Sequence, residues 1–61
     1  MMARPRSNST GYYINEEVRV DAVDKSGELV RGIGRVVGAK GNRLTVKMDM
    51  VNEHHIFDMS E

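Results

Sequence analysis

The chain has no cysteine and no tryptophan, and its 61 residues include one proline, one phenylalanine and two tyrosines. Without cysteine there is no disulfide framework and no thiolate metal centre, which fits a reducing compartment. No apolar run approaches the ~18 residues that a membrane-crossing helix needs. The N-terminal stretch lacks the apolar segment of a secretory signal. The expectation is therefore a cytoplasmic, soluble protein with no membrane association and no cofactor. Catalytic signatures are missing as well: there is no thiol nucleophile, no G-x-S-x-G and no carboxylate pair in a recognisable setting. Gly32, Gly34 and Gly38 follow G-x-G-x-x-x-G rather than the phosphate-cradling G-x-x-x-x-G-K-[ST], and no helix follows them. A non-enzyme is expected.

A chain this short forms one domain and buries only about 60% of the surface its unfolded state exposes. Its core has to come from Val18, Val20, Leu29, Val30, Ile33, Val36, Val37, Leu44, Val46, Met48, Ile56 and Phe57. Residues 1–11, MMARPRSNSTG, hold the only proline and a run of small polar residues, and read as a disordered basic arm. Residues 12–61 read as the folded domain, with Tyr12-Tyr13-Ile14 as a small patch that docks on the body.

Charge is abundant but unevenly spread. Nine basic and nine acidic residues cancel overall, yet between Leu29 and Lys47 there are five basic residues and no acidic one: Arg31, Arg35, Lys40, Arg43 and Lys47. The acidic residues gather on either side, with Glu16, Glu17, Asp21, Asp24 and Glu28 before and Asp49, Glu53, Asp58 and Glu61 after. Like charges held in one segment repel, and an anionic partner relieves that repulsion.

The pattern along the chain is that of strands. From Glu17 to Asp21, Val18, Val20 and Ala22 share one face while Glu17, Arg19 and Asp21 share the other. Asp24-Lys25-Ser26-Gly27 is a turn cluster. Glu28 to Gly38 is rich in β-formers but interrupted by Gly32 and Gly34, the mark of a bulge or a sharp bend. After the hairpin signal around Lys40-Gly41-Asn42, Leu44, Val46, Met48 and Met50 alternate with Arg43, Thr45, Lys47 and Asp49. A three-residue loop at Lys40-Gly41-Asn42 sets Val36 opposite Val46 inside and Arg35 opposite Lys47 outside; a one-residue slip would bury a charge. The tail is expected to make a single helical turn and then a closing strand with Ile56 or Phe57 inside. The adjacent pair His54-His55 lacks metal-ligand spacing, because neighbours on a strand point apart, so no metal is expected.

Glu17-Val18-Arg19-Val20 as an opening strand, Gly34-Arg35-Val36, the hairpin Gly41-Asn42 with Leu44-Thr45-Val46, and the ending Val51-Asn52-Glu53-His54-His55-Ile56 together resemble the small SH3-like barrels of KOW and Tudor-like modules. The likeness covers about residues 16–59. Two departures stand out: the basic-rich loop of a KOW motif is here only Arg31-Gly32, and Glu16-Glu17 replaces the usual opening glycine. The resemblance implies an all-β, small SH3-like barrel of four or five antiparallel strands and an association with RNA, DNA or the transcription and translation machinery. Methyl-mark reading is disfavoured, because Tudor-like cages use several aromatics and this stretch has only Phe57.

The expected function is a small nucleic-acid-binding accessory module of low sequence specificity. Arg31, Arg35, Lys40, Arg43 and Lys47 would contact phosphate, with Arg4 and Arg6 of the arm assisting. The alternative is a protein-interaction module that binds an acidic surface of a larger machine. A third reading is a homo-oligomer whose assembly creates the working surface.

Overall fold

In the computed structural model of the chain, residues 10–59 are described. They form four strands and, among the described residues, no helix: β1 (Glu17–Val23), β2 (Leu29–Lys40), β3 (Arg43–Met48) and β4 (His54–Asp58). The strands make one antiparallel meander in the order β1-β2-β3-β4. The expected all-β class is present, but the sheet does not close into a barrel. β4 ends at Asp58 and no fifth strand follows among the described residues to join it to β1. The curl brings the β1–β2 turn against β4, where the Lys25 amide donates to the Ile56 carbonyl at 2.6 Å. β1 and β4 themselves are not paired.

The core on the concave face is Val30, Val36, Leu44, Val46, Met48 and Phe57, with Tyr12, Val18, Val20 and Ala39 packed against it. Period two accounts for the β3 set, as expected. Several expected core members are instead exposed: Leu29, Val37 and Ile56. Leu29 and Ile56 have the outward parity of their strands, and Val37 is expelled by a bulge. Met50, expected inside, is 91% exposed because β3 stops at Met48. The expected helical turn before β4 is also not formed; residues 49–52 bend, and the Met48 amide donates to the Glu53 carbonyl at 2.9 Å.

The central hairpin pairs Val36 with Val46 and Arg35 with Lys47, as the hydrophobic match requires. The loop differs from the expected one. Lys40 pairs with Arg43, so only Gly41 and Asn42 are unpaired, and the remaining residue, Val37, is a bulge between Val36 and Gly38. A two-residue loop plus one bulged residue shifts the register by the same amount as a three-residue loop. Gly41, at φ 60°, supplies the left-handed backbone that a tight hairpin needs. Gly34 serves close approach: a Cβ there would lie 2.6 Å from Val46 Cγ1 and 2.9 Å from the Lys47 carbonyl oxygen.

Candidate nucleic-acid interface

The convex face of the sheet carries the basic residues. Arg35 and Lys47 are direct cross-strand partners, and the row continues outward to Glu17 on β1 and His54 on β4. Nearer the hairpin tip, Lys40 faces Arg43, and Arg43 faces Asp58. Lys47 lies four positions from Arg43, roughly 13 Å along the strand at 3.3 Å per residue. The expected stripe thus exists on the β2–β3 hairpin as two cation pairs.

Their partners differ in kind. Arg35 donates from Nη1 to the Asn15 carbonyl at 2.6 Å, which orients the guanidinium and leaves its other donors free. Among the described residues no carboxylate forms a salt bridge with Arg35, Lys47 or Lys40. Arg43 lies 3.5 Å from Asp58, which also takes Lys25 at 3.6 Å, so one carboxylate serves two cations. Arg31 stands apart from the hairpin, bonded through Nε to Asp21 at 3.0 Å across β1. These exposed pairs are worth only about 0–1 kcal/mol each and exchange readily for a phosphate. Arg4 and Arg6 lie outside the described residues. His54 joins this face, which the choice between Ile56 and Phe57 as the inward residue leaves open in the sequence; with Phe57 buried, His55 turns inward and His54 outward beside Lys47.

A second cluster holds the β1–β2 turn. Asp24 is buried; its Oδ1 accepts from the Ser26 amide (2.9 Å), the Ser26 hydroxyl (2.8 Å) and the Glu28 amide (3.0 Å). Its Oδ2 lies 2.7 Å from Nδ1 of buried His55, whose Nε2 is 3.2 Å from Glu53 Oε1. Gly27, at φ 94°, closes the turn. The Glu28 amide, followed by His55, holds the Asp24 carboxyl far below the usual carboxylate range, burial opposing. The Asp24 bond raises the His55 pKa above its ordinary 6.5; burial opposes this, and Glu53 adds to it. The cluster is thus a charged pair stapling the turn to β4. The Ser26 hydroxyl bonds Asp24 and not His55, so no nucleophile–base pair results. Donor atoms of Asp24, Glu28 and His55 come within 4.8 Å of one another. A cation there would have to displace the Asp24–His55 bond, so these three are a poor fit for a metal.

The chain matches no protein-family model, and no curated protein or solved structure is significantly similar to it.

Proposed function

We propose that this chain is a small, non-enzymatic nucleic-acid-binding accessory module, KOW-related in its hairpin, that reads backbone charge rather than base sequence. One observation carries the reading: Arg35 and Lys47 stand side by side on the outer face of β2 and β3, and among the described residues neither forms a salt bridge to a carboxylate. Like charges directly opposite each other destabilise a sheet by roughly 0.2–1 kcal/mol, and phosphate oxygens relieve that cost. Lys40 and Arg43 extend the same surface, while the arm residues Arg4 and Arg6 add phosphate contacts. Direct base readout has no dedicated group on this face, hence low specificity.

Titration with generic double-stranded DNA and with RNA at two or more salt concentrations tests the proposal. With about four phosphates neutralised by the hairpin and up to about six with the arm, log K should fall with log salt at a slope of roughly −3.5 to −5.5 for a DNA duplex. Arg35→Glu/Lys47→Glu should reduce both affinity and slope. Binding that ignores salt, or that survives the double variant unchanged, would overturn it. The second reading, a module that docks on an acidic protein surface, draws on the same cation pairs. Salt-tolerant capture of one specific protein after nuclease treatment would favour it instead.

A further inference from the structure

β1 is an open sheet edge. Val36 N donates to the Glu16 carbonyl at one end, and Asp24 N donates to the Glu28 carbonyl at the other. Antiparallel alternation between those bonds turns the backbone groups of Val18, Val20 and Ala22 toward β2. The N–H and C=O groups of Glu17, Arg19, Asp21 and Val23 are left facing away from the sheet. β4, the opposite edge, is partly covered by the Lys25–Ile56 bond and the Lys25–Asp58 ion pair. Among the described residues β1 has no such cover, and its own sequence holds neither the proline nor the lysine by which free edges are often blunted. Beside it runs an open apolar groove of about 220 Å³ lined by Val18, Val20, Leu44, Val46, Phe57 and Met59.

We infer that the occupant of this edge is β1 of a second copy, paired antiparallel about a two-fold axis at Val20. Charge decides the register. Only registers that match the free backbone groups of both strands are allowed, so odd residues must face odd residues. Centring on Arg19 sets Arg19 against Arg19 and Glu17 against Asp21; centring on Asp21 sets Asp21 against Asp21. Centring on Val20 overlaps all seven residues of Glu17–Val23 and sets Arg19 of each copy opposite Asp21 of the other, twice by symmetry. Arg19 forms no ion pair within the described part of the chain. Asp21 uses Oδ1 for Arg31 and keeps a second oxygen for the partner. On the concave side Val18 meets Ala22 and Val20 meets Val20, extending the groove's apolar lining across the axis. The axis is perpendicular to the sheet, so both basic hairpins come to the same side of one eight-stranded sheet.

Sedimentation equilibrium on the full chain, with charge variants, tests the pairing. Asp21→Arg sets arginine against arginine twice and should weaken association roughly tenfold, equivalent to about 1.4 kcal/mol. Arg19→Asp/Asp21→Arg restores unlike pairs and should restore the dimer. The chain has no cysteine, so Val20→Cys reads the axis directly: facing non-hydrogen-bonded positions lie within disulfide reach. Oxidation should yield a covalent dimer from Val20→Cys and none from Leu29→Cys. A wild type that stays monomeric at high concentration would overturn the inference. So would a dimer indifferent to Asp21→Arg, a double swap that stays apart, or equal cross-linking at both cysteines.

Discussion

Asp24 and His55 are 31 positions apart in the chain, yet they form a short, buried polar contact between the first turn and the last strand. Its pH dependence follows from the direction of each shift. His55 titrates above its ordinary 6.5, so the stability its charge brings is complete below 6.5 and lost as pH rises through the elevated value. Asp24 titrates below its ordinary 3.8, so its contribution is complete above 3.8 and lost as pH falls through the depressed value. Thermal unfolding should therefore give its highest Tm between those two limits and decline on both sides. His55→Gln should lose the alkaline decline; a wild-type Tm flat from about pH 6 to 9 would remove the charged pair from the account. Gly34 provides a second residue-scale prediction. Alanine there meets the Lys47 carbonyl oxygen, which is backbone and cannot swing aside, and should cost roughly 1–3 kcal/mol. Gly38→Ala meets Thr45 Cβ at an ordinary 3.4 Å and should change the urea midpoint little. Equal midpoints for the two variants would mean that the close approach at Gly34 does not matter.

The β2–β3 hairpin joins stability to charge. Lys47 lies between Arg35 and His54 in one cross-strand row, an arrangement that favours an anion at its centre. Lys47→Glu should raise stability by roughly 0.2–1 kcal/mol per improved pair while lowering nucleic-acid affinity and its salt slope. A variant that is both less stable and unaltered in binding would contradict the idea that these cations serve an outside partner. The register behind that prediction was readable in the sequence, because a three-residue offset at the hairpin sets Val36 opposite Val46 with Arg35 and Lys47 outside, and a one-residue slip would bury a charge. The extra residue, however, sits in a bulge at Val37 and not in the loop. Two successive apolar residues, Val36-Val37, break strict alternation and were the available sign of a bulge. His55 was only half legible, because either Ile56 or Phe57 could be the inward residue and only the second turns His55 inside. Its partner was not legible: nothing in Asp24-Lys25-Ser26-Gly27 beyond its turn chemistry says that the turn folds onto β4. The closed barrel failed for a related reason. Closure depends on a strand after Asp58, and strand pattern alone does not reveal whether two edges meet.

At the scale of the whole molecule, an open four-stranded sheet with six buried apolar side chains has little to spare. Domains of this size commonly gain their margin from assembly. Pairing through β1 extends the apolar surface next to that core, and a native state that binds its own copy is stabilised by mass action, by about 2.7 kcal/mol when concentration exceeds Kd a hundredfold. Tm of the wild type should therefore rise with protein concentration. That of Asp21→Arg should begin to rise only at roughly tenfold higher concentration, and Arg19→Asp/Asp21→Arg should recover the wild-type onset. Intrinsic stability and assembly separate in such a series, because the change that Asp21→Arg also makes within one copy, an arginine across from Arg31 in place of the ion pair, lies on the exposed face and costs only roughly 0.2–1 kcal/mol. It would shift every point of the curve by the same small amount. A wild-type Tm independent of concentration would leave β1 as a free edge and return the question of stability to the buried side chains and the Asp24–His55 staple.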